Sequence, residues 1–245
     1  MHHLGHTRSS YRPDHLLQTP DTFVRAPLPG MTNATAIVHA APAMGAAFIE
    51  YTVEFEADGC FDPGKDQCFV YVLDGEVLAA WEKMERRLTV GQYAYLAPES
   101  GARLSADKGT RAVVIEKPLR VLNGQMPGHL AGDAASIVAT AMESDEAVKV
   151  RTLIPADLSF DFAVNTMTFQ PGATLPRVEI HEMEHGLLML EGEGIYRLGD
   201  CWYPVKAGDF IWMSPYCPQW FGALGKKPAK YLIYKNWNRH PLLSR

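Results

Sequence analysis

Two copies of one short pattern, set 117 residues apart, constrain this chain more than any other feature: Val72-Leu73-Asp74-Gly75-Glu76-Val77 is answered by Met189-Leu190-Glu191-Gly192-Glu193-Gly194. The register persists beyond the match. Gly75 to Gly91 and Gly192 to Gly208 both span 16 positions, and Gly91 to Pro98 and Gly208 to Pro215 both span seven. A repeat of that length predicts two copies of one folding unit. Within each copy the apolar runs are short and rich in β-branched and aromatic residues, as in Phe69-Val70-Tyr71-Val72-Leu73 and Asp209-Phe210-Ile211-Trp212-Met213. Glycine or proline stands at nearly every boundary, which describes strands joined by turns and predicts an all-β barrel or sandwich. Ala134 to Glu146 carries the one helical composition, with Pro127 and Gly128 ahead of it, and predicts a short helix in a connector between the copies.

The bulk properties set limits on partners. A length of 245 residues, 47% of them apolar and 21% charged, is enough for two folded units. The net charge of −5 offers no basic footprint for nucleic acid. No apolar run approaches the ~20 residues of a membrane span, and the start of the chain lacks a hydrophobic signal core, so a soluble, cytoplasmic protein is expected. Cys60, Cys68, Cys201 and Cys217 show no paired spacing and are read as reduced thiols. His2, His3 and His6 are read as a frayed terminus rather than a metal site.

Chemistry is concentrated in Glu179-Ile180-His181-Glu182-Met183-Glu184-His185, which supports two incompatible readings. From His181 it is H-E-x-x-H, in which two histidines one helical turn apart bind zinc. From Glu179 it is E-x-H-x3-H, a β-barrel pattern. Pro171, Gly172 and Pro176 upstream and Gly186, Gly192 and Gly194 downstream oppose a helix. In a strand, Glu179 and His181 would share a face, and a turn would return His185 to it. Glu182 and Glu184 are expected to point away, the alternative being that either orients an imidazole from behind. Trp202, Trp212, Trp220 and Trp237 are read as packing, and Lys226-Lys227 as a turn.

Gly172, Glu179, His181, His185 and Gly192, followed by Gly208, Pro215 and Gln219, resemble the two motifs of the cupin superfamily. Glu179 stands where the first motif has a histidine, His185 where it has a glutamate, and Gln219 near the last histidine. A narrower family accounts for those departures. Residues 169–242, together with Gly194-Ile195-Tyr196-Arg197-Leu198, Trp202-Tyr203-Pro204-Val205, Pro218-Gln219-Trp220 and Tyr231-Leu232-Ile233-Tyr234-Lys235, look like the (S)-ureidoglycine aminohydrolases. So do Thr7-Arg8-Ser9 and Pro27-Leu28-Pro29-Gly30. The likeness is weakest from Gly124 to Val150.

The resemblance implies a bicupin, two tandem jelly-roll barrels. Residues 1–40 would be an extension packed on the barrels, 41–118 an N-terminal barrel, 119–150 the connector and 151–245 the C-terminal barrel. It implies Glu179, His181, His185 and Gln219 as metal ligands, Lys235 as proton shuttle, and Tyr196 and Tyr231 as substrate contacts. The implied reaction converts (S)-ureidoglycine to (S)-ureidoglycolate and ammonia in purine catabolism. Subtracting 117 from the four ligands gives Asp62, Gly64, Cys68 and Ala102, so the N-terminal barrel is expected to be metal-free. Asp62, Asp66 and Cys68 make a weaker second candidate. A thiolate-free set of two imidazoles, a carboxylate and an amide oxygen suits Mn²⁺, with Fe²⁺ or Zn²⁺ as substitutes. Its residual positive charge favours a small anionic ligand such as a ureide. A redox bicupin and a non-catalytic ligand-binding cupin remain the alternatives; release of ammonia separates the aminohydrolase from both. Pairing of sheet edges makes a homo-oligomer the expectation.

Overall fold

The computed structural model describes residues 6–240, and it is built of β-strands with no α-helix among them. His2 and His3 lie outside the described residues. The chain divides into two units.

The first unit comprises Val24–Ser136 with Asp157–Ser159. Its antiparallel sheet runs in the order Leu130–Asp133, Gln92–Leu96, Gln67–Asp74, Arg111–Lys117, Ile49–Phe61, Arg103–Ala106, Glu76–Trp81, Met84–Thr89, with Met31–Ala40 also paired to Ile49–Phe61. Tyr51, Val53, Phe55, Val70, Val72, Val77, Leu88, Leu96, Leu104 and Val114 fill the space the sheet encloses.

The second unit joins the N-terminal segment up to Phe23 to Ile137–Ala156 and the chain from Phe160 onward. An eight-stranded sheet has the order Ser10–Tyr11, His15–Gln18, Phe210–Met213, His185–Glu191, Ala229–Asn236, Phe162–Phe169, Asp145–Thr152, Thr140–Met142. A three-stranded sheet of Cys201–Lys206, Glu193–Leu198 and Gln219–Leu224 completes the unit. Alternate residues of these strands, among them Met167, Phe169, Leu187, Met189, Tyr196, Ile211, Phe221 and Tyr231, form one apolar core.

The repeat is visible in the strands: a shift of 117 residues carries Glu76–Trp81 onto Glu193–Leu198 and Met84–Thr89 onto Cys201–Lys206. Gly75 and Gly192 each turn between strands at φ 73°. A Cβ on Gly192 would stand 2.5 Å from the Pro228 carbonyl, so both conformation and space require glycine there.

Two sequence expectations are corrected. The helix expected over Ala134 to Glu146 is one 3-10 turn at Ala134–Ser136, followed by a hairpin of Thr140–Met142 and Asp145–Thr152. Glu143 and Ser144 make its turn at φ 47° and 69°. Pairing with Phe162–Phe169 and burial of Val148 outweigh the helical propensity of Ala, Met and Glu. The division between units also differs from the expected one. Residues 6–23 are not a separate extension but supply two strands to the second unit, while Met31–Ala40 belongs to the first. The expected connector is split: Leu130–Asp133 pairs with Gln92–Leu96, and the hairpin joins the second unit. No helix among the described residues is long and apolar enough to cross a membrane.

Candidate metal centre

The histidine-rich segment is not helical, which removes the H-E-x-x-H reading. The chain from Gly172 to Glu179 instead runs beside Gln219–Leu224. Glu179 N–H donates to the Gln219 carbonyl (2.8 Å) and Gln219 N–H to the Glu179 carbonyl (2.9 Å), which fixes these two residues opposite each other. His181 lies in the irregular stretch that follows, its carbonyl accepting from Tyr216 N–H (2.8 Å). His185 opens its strand, paired with Met213 on one side and Lys235 on the other.

Backbone placement brings the side chains together. His181 Nε2 lies 3.2 Å from His185 Nε2, 2.9 Å from Gln219 Nε2 and 3.9 Å from Glu179 Oε2. His185 Nδ1 faces the Tyr234 carbonyl at 3.3 Å, so its proton is held there and the Nε2 lone pair is left facing His181. Burial lowers the His185 pKa to about 3, and His181 adds to the effect. Burial lowers the His181 pKa as well. Both imidazoles are therefore neutral at neutral pH, the form that binds metal.

The two imidazole nitrogens are spaced to share a divalent ion. Two nitrogens ~2.1 Å from one ion at right angles stand ~3 Å apart, close to the His181–His185 separation. Gln219 Oε1 accepts from Tyr196 Oη at 3.2 Å, and a half-turn of the amide presents this oxygen toward His181. Glu179 is the one carboxylate of the set; burial raises its pKa, the direction that a nearby cation would reverse.

Lys235 stands across from His185, its Nζ 4.2 Å from the centre of the Trp237 ring. Burial lowers its pKa while Glu179 opposes the shift. Tyr196 joins the cluster through Gln219. Tyr231 lies deeper, opposite Met189, with its hydroxyl directed to Met167 Sδ at 3.3 Å. Glu184 is buried, and its Oε1 accepts from Trp212 Nε1 at 2.9 Å. Trp237 thus touches an expected site residue, whereas Trp202 and Trp220 pack edge to face.

A second grouping in this unit brings ligand atoms of Asp14, His15 and Cys217 within 4.8 Å of one another. Its donors are already engaged. His15 Nδ1 meets Asp14 Oδ1 (2.9 Å), His15 Nε2 meets Tyr203 Oη (2.9 Å), and burial raises the Cys217 thiol to about 11. An ion there would have to displace these bonds, so the grouping reads as an Asp–His–Tyr hydrogen-bonded chain. In the first unit, Asp62 pairs with Arg103 at 3.0 Å, while Cys68 and Ala102 lie in the apolar core.

The Cupin domain family matches residues 165–234. The (S)-ureidoglycine aminohydrolase of Arabidopsis thaliana is 40% identical over 243 residues, covering 97% of this chain and 80% of that protein. The chain belongs to the (S)-ureidoglycine aminohydrolase family. The Escherichia coli K12 member is 31% identical over 91% of this chain and 88% of its own. The crystal structure of protein Ylba from E. coli superposes with a TM-score of 0.86 at 27% identity, covering 96% of each chain. The all-β cupin fold of the family is thus that of this chain.

The sequence reading missed Glu184 as a buried carboxylate and Asn165 as an inward polar residue of the aminohydrolase barrel. Asn165 was legible in principle. In Phe162-Ala163-Val164-Asn165-Thr166-Met167 it is an amide at a position whose alternation partners, Met167 and Phe169, face the core.

Proposed function

We propose that this protein is a metal-dependent (S)-ureidoglycine aminohydrolase built as a bicupin, with its site in the second unit. The observation that supports the reading is the approach of Glu179, His185 and Gln219 to within 3.9 Å of His181 Nε2, in a chain of this family. Mn²⁺ suits the thiolate-free donor set, and four protein ligands leave about two positions of an octahedral shell for a bidentate substrate. The bound ion supplies a cationic anchor for the substrate's carboxylate and amine.

The chain's own groups do the rest. Lys235, on the same inner face as His185, takes a proton from the incoming water and delivers it to the departing nitrogen, which leaves as ammonia; its lowered pKa is what such a shuttle needs. Tyr196 orients Gln219, and the walls formed by Met167, Ile233 and Tyr231 restrict the ligand to a small molecule.

The reading is tested by following ammonia release and the enantiomeric excess of ureidoglycolate from freshly generated (S)-ureidoglycine, with stripped and Mn²⁺-loaded protein and with Lys235→Met. Metal-dependent release with one enantiomer formed, reduced ~10²- to 10⁴-fold in the variant, supports it. Equal rates for stripped and loaded protein, both at the spontaneous background, would overturn it.

A further inference from the structure

We infer that Asn165 recognises the ureido group of the substrate, its carboxamide pairing with the ureido N–H and carbonyl. The inference rests on the aminohydrolase reading above and assigns one end of the substrate to a residue outside the metal cluster.

Accessibility on the inner face of this sheet is confined to one patch, since inward Phe169, Leu187 and Tyr231 retain only 0%, 0% and 1% exposure. Ala163, Asn165, Met167 and Ile233 point inward and retain 6%, 8%, 9% and 7% exposure, whereas outward Val164, Thr166, Leu232 and Tyr234 retain 0%, 1%, 1% and 0%. The inward residues that keep some exposure thus cluster around Asn165, next to Lys235. Asn165 stands directly across from Ile233, and the same pairing sets Met167 against Tyr231 and Ala163 against Lys235. Asn165 is thus diagonal to both Tyr231 and Lys235, at a spacing of ~7–8 Å that long side chains bridge. Because Lys235 pairs with His185, Asn165 lies one inward step deeper than the ligands.

Its carboxamide has unmet hydrogen-bonding capacity. Asn165 Oδ1 is buried and finds no hydrogen-bond partner among the described residues. Thr166 Oγ1 is likewise unpartnered, but strand alternation turns it to the opposite face. A buried unpaired carbonyl oxygen calls for a hydrogen-bond donor, N–H or O–H. A carboxylate cannot supply one, and the metal cluster with Lys235 already provides for the charged end of an amino acid. A ureido group can, since it carries N–H donors and a carbonyl in the mutual arrangement that a primary amide complements. Because Asn165 is neutral, it matches a neutral group without opposing the charge of Lys235.

The experiment uses Mn²⁺-loaded protein and two stable probes, (S)-ureidoglycolate and glycolate, which share the hydroxy acid and differ in the ureido group. Calorimetric titrations are compared for wild type, Asn165→Leu and Asn165→Ala, with Tm and Mn²⁺ content measured on each. Leucine keeps the branched heavy-atom shape and removes the orphaned oxygen, so its Tm is expected to equal or exceed that of the wild type. Ureidoglycolate affinity is expected to fall ~10- to 100-fold in both variants, with glycolate affinity and Mn²⁺ content within about twofold of wild type. Unchanged ureidoglycolate affinity in either folded variant, or an equal loss for both probes, overturns the assignment while leaving the aminohydrolase reading intact. A wild type that binds ureidoglycolate no better than glycolate overturns both.

Discussion

Arg8 is predicted to be a principal anchor of the second unit although it lies far from the candidate site in sequence. Its guanidinium grips the Asp209 carboxylate at 2.5 and 2.8 Å and donates to the Pro204 carbonyl at 2.9 Å, and Asp209 is fully buried. Arg8→Met would leave that carboxylate with the Lys206 N–H at 2.9 Å and no countercharge. Stranding one partner of a fully buried ion pair costs about 3–5 kcal/mol, and the 30% exposure of Arg8 places this pair at the lower end, about 3 kcal/mol. The loss should propagate, because His15–Gln18 is zipped to Phe210–Met213, and Met213 stands opposite His185. Urea unfolding followed by tryptophan fluorescence is the assay; four of the five tryptophans, Trp202, Trp212, Trp220 and Trp237, are in this unit. Asp209→Asn in the Arg8→Met background should recover most of the loss by removing the stranded charge. A cost below ~1 kcal/mol for Arg8→Met, or no recovery in the double variant, would refute the argument that this arm is integral to the unit.

Tyr196→Phe removes the hydroxyl that hydrogen-bonds the Gln219 carboxamide and fixes its orientation, and Mn²⁺ affinity measured by competition with a chelator should weaken ~10- to 100-fold with the fold retained. In the first unit, burial raises the Glu50 carboxyl from 4.5 to about 8. The stability this group contributes is complete below pH 4.5 and is lost as pH rises through about 8, by up to ~5 kcal/mol at ~1.4 kcal/mol per pH unit. Glu50→Gln should therefore match wild type near pH 4.5 and become progressively more stable than it toward pH 9 in denaturant titrations; parallel curves would show the carboxyl to be solvated.

Strand content was legible because glycine and proline mark nearly every boundary, and the 117-residue repeat located corresponding strands in the two halves. The four proposed ligands could be named in advance because Glu179, His181 and His185 are crowded together in sequence and family likeness added Gln219; the structure brings their side chains near one another. What remained hidden was long-range. Nothing local to Arg8 or His15 states that this segment completes a barrel whose other strands begin some 130 residues later. The Ala134–Glu146 stretch has helical composition but is claimed by pairing with Phe162–Phe169, a choice made by tertiary contacts. Glu184 looked like an outward partner of the ligands, and only the position of Trp212 shows that it is buried and bonded.

Mn²⁺ stoichiometry in wild type and in the His181→Ala/His185→Ala double variant, measured by elemental analysis after equilibrium dialysis, tests the central claim most directly. One Mn²⁺ per chain in the wild type, and essentially none in a double variant that remains folded by circular dichroism, is the predicted result. Retention of one ion per chain by that variant would contradict the account and move the metal to another site, with Asp14, His15 and Cys217 the first place to look.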